Sequence, residues 1–228
     1  MKKALSLALL TAAATTASLG VQAHEAGDWI VRVGAINVNP NDDSDKIVVP
    51  TDPPTVLKGV EVDDAWAVSL IGAYMVTDSV AIELLAATPF EHDIDVAGTG
   101  LSAGSTKQLP PTLSMQWYPR GGKDGWQPYF VVGVNYTIFF DEKVDKDLEG
   151  ALGALIGATR VDLELDDSFG LAAQAGVDFP LGERWMLNAG IWYIDIDTTA
   201  KIKTDVGRVK FDVDIDPWVY NIGVAYRF

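Results

Sequence analysis

The chain has 228 residues, no cysteine and a formal net charge of −15 at pH 7. An acidic surface repels phosphate groups, so the charge argues against a nucleic-acid-binding protein. The absence of cysteine excludes a disulfide scaffold and thiolate chemistry, and a chain of this length must then depend on a large core or a closed sheet.

The first 23 residues have the pattern of a cleaved secretory signal. Lys2 and Lys3 precede an apolar run over residues 4–10, and a stretch of small residues closes at Ala23. This order of regions predicts cleavage after Ala23, which leaves one domain of residues 24–228 with a formal charge of −17. No later stretch has 18 consecutive apolar residues, so any insertion into a membrane must be by strands.

Apolar residues recur at alternate positions through the mature chain, which predicts β-strands with one apolar face. Eight strands are expected, separated by connections that are alternately long and short. Their predicted ranges are residues 28–39, 65–76, 80–86, 109–118, 129–140, 169–179, 185–193 and 218–228. An even number of strands can close into an antiparallel up-and-down barrel without a free edge, so the expected fold class is all-β.

The connections differ between the two ends of the expected barrel. Short turns occur near Thr77, Gly121 and Gly182, at the end where both termini lie. The longer, acidic connections are residues 40–62, 91–106, 141–160 and 198–207. Short periplasmic turns and long external loops are typical of barrels in the bacterial outer membrane.

The third external loop contains a segment with helical periodicity, residues 147–158. The residues of its apolar stripe are Leu148, Leu152, Leu155 and Ile156. The segment is too short to span a bilayer, so a short helix is expected over the barrel mouth or on its rim. Leu152 and Leu155, together with Leu57 of the first loop, are candidate lid residues.

The C-terminal strand has a continuous apolar face with aromatic residues at both ends. The residues of this face are Trp218, Tyr220, Ile222, Val224, Tyr226 and Phe228. Such a row is typical of a lipid-facing strand, because aromatic rings favour the two membrane interfaces. Residues on the opposite faces of other strands, such as Gln116, Asn135, Gln174 and Asn188, predict a narrow polar lumen.

A soluble lipocalin-like carrier is the alternative with the same number of strands. Its apolar residues would face inward and its outer surface would be charged. The aromatic-bounded rows favour the transmembrane β-barrel instead.

The polarity of the strands changes near their extracellular ends. In residues 209–215 the apolar side chains occupy odd positions, so the apolar face swaps at Asp216-Pro217. The seventh strand also places Asp195 and Asp197 on its outer side. This change predicts an apolar chamber in the extracellular half of the barrel. The candidate ligand-binding residues are Trp192, Ile194, Ile196, Val209, Phe211, Val213 and Ile215.

Two points qualify this chamber. The same side chains could merely form the core of an extracellular extension. In the sixth strand, Val161, Leu163 and Leu165 share parity with Phe169, so they face inward only if Asp166-Asp167 contains a bulge.

Two short motifs are specific, Ala87-Thr88-Pro89-Phe90 and Asp216-Pro217-Trp218-Val219-Tyr220. The longer stretches that contain or accompany them are residues 83–92, 109–119, 128–140, 185–199 and 216–228. In these stretches the chain resembles the outer membrane protein W (OmpW) family, which includes alkane-uptake proteins. The resemblance implies a monomeric eight-stranded barrel with a hydrophobic lumen that passes small apolar molecules across the outer membrane, with lateral release into the bilayer as one route.

The resemblance also implies partners. Outer-membrane lipids and lipopolysaccharide would surround the barrel, and the row ending at Phe228 matches the signal read by the outer-membrane assembly machinery. A structural, adhesive or receptor-type barrel without transport remains the alternative.

No enzyme, metal or cofactor site is expected. His92 stands among Glu91, Asp93 and Asp95, but strand periodicity puts these acids on the opposite face, and the one other mature histidine is His24. The acidic stretch 41–45 lacks the ligand spacing of a calcium loop, although it could contact divalent ions at the lipopolysaccharide surface. Neither a phosphate-binding loop nor a His-Glu-x-x-His zinc motif occurs.

Overall fold

The computed structural model describes residues 24–121 and 123–228, so the signal expected at residues 1–23 lies outside the described residues. The described residues form one helix and seventeen strands. The strands are β1 (Trp29–Asn39), β2 (Asp43–Ser44), β3 (Ile47–Val49), β4 (Thr55–Leu57), β5 (Val60–Val62), β6 (Ala65–Thr77), β7 (Val80–Ala87), β8 (Phe90–Val96), β9 (Leu101–Leu109), β10 (Thr112–Trp117), β11 (Gln127–Val144), β12 (Val161–Leu165), β13 (Ser168–Pro180), β14 (Trp185–Ile194), β15 (Asp197–Thr204), β16 (Gly207–Asp214) and β17 (Trp218–Arg227).

Eight of these strands close into an antiparallel barrel, which confirms the predicted fold class. Their order is β10-β7-β6-β1-β17-β14-β13-β11, and pairing of β10 with β11 completes the ring. The fourth barrel strand begins later than expected, at Thr112, because Pro110 and Pro111 cannot donate to the ladder. The fifth is longer than expected and extends to Val144.

The external connections are largely strands, which corrects the expectation of loops. The second and fourth connections are the hairpins β8–β9 and β15–β16. Strands β5, β8 and β9 extend the sheet of upper β11, whereas β12, β15, β16 and β2 form a separate four-stranded sheet. Strands β3 and β4 pair as a small hairpin. Together these elements form an extension above the barrel.

Helix α1 (Lys146–Ile156) lies in the third connection, as the periodicity predicts. It begins at the N-cap Asp145, whose carboxylate accepts the Asp147 N–H at 2.9 Å, and it ends at Gly157 in the left-handed conformation. Within the described ranges, no helix is long and apolar enough to cross a bilayer.

The barrel wall reverses its polarity at the base of the extension. Below this level, large apolar side chains such as Leu113, Val132 and Ile222 are exposed on the outer surface, and polar side chains are buried inside. Above it, acidic and basic residues are outside and aliphatic residues are inside.

Irregular backbone accompanies this reversal in several strands. In β11 the register shifts between Phe140 and Lys143, and Asp141 has a φ of 56°. Residues 166–167 separate β12 from β13, so Leu163 can face inward while Phe169 is exposed. The sixth strand therefore has the break that the chamber requires.

Candidate ligand cavity

A cavity of about 1060 Å³, including the open space at its mouth, lies within the extension. Its wall combines aliphatic side chains from both sheets of the extension, from the β3–β4 hairpin and from helix α1, with Ile47, Ile94 and Ile202 as examples. This lining of aliphatic side chains suits a small apolar ligand.

The structure brings together four of the seven predicted chamber residues. Val209, Phe211, Val213 and Ile215 line the cavity. Phe211 is 6% exposed whereas Asp212 is exposed on the outer surface, which is the phase expected from the sequence. That these side chains contact a ligand stays a prediction.

The other three predicted chamber residues do not line the cavity. Trp192, Ile194 and Ile196 are fully buried. Trp192 lies opposite Gln174 in the strand register, close to the polar interior of the barrel. The alternation of side chains along the strand places these residues on the inner face of the barrel. It does not specify their position along the barrel axis relative to the cavity floor.

The candidate lid residues divide in the same way. Leu57 and Leu152 line the cavity, together with Leu148 and Ile156 of helix α1. Leu155 does not, because it is 46% exposed on the outer side of the helix. The apolar stripe of the helix is thus wider than the side that faces the cavity.

Three buried polar side chains also line the cavity, His92, Thr106 and Gln108 of the β8–β9 hairpin. The His92 Nδ1 atom lies 2.6 Å from the Asp63 carbonyl oxygen, and its Nε2 atom lies 2.9 Å from Gln108 Nε2. Burial lowers the pKa of His92 below its usual value, so the ring is neutral at pH 7.

The barrel interior beneath the cavity is closed by a buried charged network. Arg32 donates to Glu83 Oε2 at 3.0 Å and to Asp178 Oδ2 at 2.8 Å. It also donates to the Tyr118 hydroxyl at 2.6 Å, and its guanidinium lies 5.1 Å from the ring centre of Tyr129. All five side chains are almost completely buried.

Amide side chains continue this network towards the cavity. Asn188 donates to Asp178 Oδ1 and to the Tyr129 hydroxyl, each at 2.8 Å, and its own oxygen accepts from Asn221 at 2.8 Å. The polar lumen predicted from the sequence is therefore filled by side chains that pair with one another. The hydrophobic lumen implied by the family resemblance is wrong for the lower barrel, because these paired polar side chains fill it and the apolar cavity lies in the extension.

An acidic cluster lies on the outer surface of the extension. Carboxylate oxygens of Asp195, Asp197 and Asp216 lie within 4.8 Å of one another. The pKa of Asp197 is raised, by partial burial first and by the neighbouring acids second. The Asp216 carboxylate accepts from the Ile196 N–H at 3.2 Å and from the Tyr193 hydroxyl at 2.9 Å. These hydrogen bonds connect it to the end of β14 and to the residues that follow that strand.

Residues 100–104, Gly-Leu-Ser-Ala-Gly, have the spacing of a serine-hydrolase nucleophile motif. That motif requires a sharp turn from a strand into a helix. Here the segment enters β9, where Ser102 pairs with Asp95 in the β8–β9 hairpin, and the next element is strand β10 rather than a helix. The spacing therefore does not form a nucleophile elbow.

Comparison with known proteins identifies similar barrels. A model described as the OmpW family matches residues 25–228. Outer membrane protein W of Vibrio cholerae is 40% identical over 223 residues, which cover 96% of this chain and 97% of that protein. Outer membrane protein AlkL of Ectopseudomonas oleovorans is 26% identical over 159 residues, which cover 68% of this chain and 63% of that protein.

A solved structure has the same architecture. The crystal structure of the outer membrane protein OprG from Pseudomonas aeruginosa superposes with a TM-score of 0.79 at 42% identity, covering 90% of this chain and 98% of that one. The barrel and the names of these relatives locate the chain in the bacterial outer membrane.

Proposed function

Because this chain belongs to the OmpW family of outer-membrane barrels, we propose that it passes small hydrophobic molecules inward from the cell exterior. The apolar cavity in the extension is the observation that carries this proposal. Transfer of apolar surface from water into such a cavity is favourable by about 25 cal/mol per Å². A small hydrocarbon would therefore be captured before it reaches the membrane core.

The closed network beneath the cavity supports release sideways into the bilayer. A molecule moving down the lumen would have to separate Arg32 from Glu83 and Asp178, each of which is held within 3.0 Å. Breaking a buried ion pair leaves uncompensated charge at low dielectric, which costs several kcal/mol. Lateral release avoids that cost.

In this proposal the barrel works as a monomer surrounded by outer-membrane lipids. Its acidic extension would face the lipopolysaccharide layer, where divalent cations offset the charge. The C-terminal strand β17 would be the part recognised by the assembly machinery.

The experiment measures uptake of radiolabelled n-octane by cells that lack the protein and are supplied with wild type, Phe211→Asp or Asp212→Asn. Wild type should increase the uptake rate, and Phe211→Asp should lose most of that increase because a carboxylate would enter the apolar wall. Asp212→Asn is the matched control, since the neighbouring side chain faces outward, and it should behave as wild type.

Folding of each variant is checked by the shift in electrophoretic mobility on heating. Uptake of a hydrophilic sugar should not change in any strain. Equal octane uptake with and without the wild-type barrel would reject transport and favour a structural or adhesive role.

A further inference from the structure

The cavity wall contains a buried hydrogen-bond acceptor that has no partner. Gln108 lines the cavity and is 1% exposed, and its side-chain Oε1 makes no hydrogen bond within the described part of the chain. Apart from His92 and Thr106 on the same hairpin, most of the wall is aliphatic or aromatic, with Phe139 beside Gln108 across the β9–β11 ladder. An unpaired buried acceptor is costly, so its presence in a cavity wall calls for a reason.

The orientation of this amide follows from the two hydrogen bonds of His92. The Nδ1 atom lies 2.6 Å from a carbonyl oxygen, that of Asp63, so Nδ1 carries the proton and donates. In the neutral ring Nε2 must then accept, and the group 2.9 Å away must be the amide nitrogen of Gln108. The opposite orientation would bring two acceptors together. Gln108 Oε1 is thereby left as the free acceptor.

We infer that the cavity selects amphiphilic molecules with a hydroxyl group at one end of a short hydrocarbon chain, and that this hydroxyl donates to Gln108 Oε1. The inference rests on the proposed function and narrows its substrate class. Small aliphatic or terpenoid alcohols have the required chemistry. His92 acts as a positioning residue, because it holds the amide in the orientation that leaves Oε1 free.

Three probes with nine heavy atoms each isolate the hydrogen bond from hydrophobic transfer. They are 1-octanol, its isomer heptyl methyl ether, and nonane. Binding is followed by the side-chain amide resonance of Gln108 in full-length protein in lipid nanodiscs, and affinities are corrected for partition into protein-free nanodiscs. One net hydrogen bond should give 1-octanol an advantage of about three- to tenfold over both other probes.

Gln108→Met keeps the side-chain volume and removes the hydrogen-bond acceptor. The preference for 1-octanol should therefore disappear, while nonane should still bind. Binding to this variant is followed by the methyl resonances of the cavity wall. Asp93→Asn is the control on the same hairpin, and it should retain the preference, because Asp93 is exposed on the outer face and does not line the cavity. If Gln108→Met fails to fold, the three probes on wild type decide alone.

Equal affinities for the three probes would overturn the inference and leave hydrophobic uptake standing. An ether that binds as well as the alcohol would also overturn the inference. An ether can accept a hydrogen bond but cannot donate one, so equal affinity would mean that Gln108 Oε1 does not accept from the ligand. Absence of binding by all three probes would reject the proposed function as well.

Discussion

Arg32 holds the lower lumen together, since its guanidinium joins side chains from two other strands and one that directly follows a third. Glu83 lies on β7, Tyr118 directly after β10, and Asp178 on β13. Removing the cation would leave two carboxylates buried without a counter-charge. Arg32→Met should therefore lower the free energy of unfolding by about 3–5 kcal/mol.

Urea-induced unfolding in lipid vesicles measures this effect. Arg160→Met is the control, because Arg160 is exposed and its substitution should change the free energy by no more than about 0.5 kcal/mol. If Arg32→Met lowers the free energy of unfolding by no more than the control does, the network contributes no stability.

Side-chain alternation identified the polar lumen but not this network. Arg32 and Glu83 stand opposite the apolar residues Trp29 and Ile82 of their strands, and that signal was present in the sequence. The partners of Arg32 are 51 and 146 positions away along the chain. Which of several inward polar residues meet depends on the stagger between strands, and alternation within one strand does not specify it.

Helix α1 presents one apolar side to the cavity and another to solvent. Leu152 lines the cavity and is buried, whereas Leu155, less than one turn further on, is 46% exposed. Leu152→Asp should therefore reduce the affinity for nonane at least tenfold, since a carboxylate in the wall loses its hydration.

Leu155→Asp provides the comparison, and it should bind nonane with wild-type affinity. Both affinities can be measured by the nanodisc titration used for the three probes. An equal loss of nonane affinity in the two variants would mean that binding depends on the whole helix rather than on its inner side.

At the element scale, the long barrel strands, the helix and the alternation in residues 161–165 and 209–215 were predictable, and the shortest strands of the extension were not. Strands β3, β4 and β5 have three residues each, too few for an alternating pattern to stand out among the prolines and acids around them. Their pairing comes from tertiary packing around the apolar cavity. The same packing explains why connections that were expected to be loops form strands around the cavity.

Over the whole molecule, the outer surface is an apolar belt below and a charged surface above. Val134 lies near the middle of the exposed row of β11, with Leu113 opposite it on β10. Val134→Arg should destabilise the barrel by about 2–4 kcal/mol, because a cation near the bilayer midplane is poorly solvated.

Asp162→Arg tests the same charge on the extension, where Asp162 is exposed to water on β12. Unfolding free energies in vesicles should separate the two variants by at least about 2 kcal/mol. A similar cost at both positions would contradict the assigned membrane level.

The reversal of polarity at the base of the extension divides the chain into two parts that natural selection can change separately. A substitution at Val209 or Phe211 alters the cavity but touches neither the lipid-facing belt nor the Arg32 network. The part needed for insertion can thus be maintained while the binding part diverges. Descendants of such a barrel can acquire new ligands without first solving the problem of membrane assembly again.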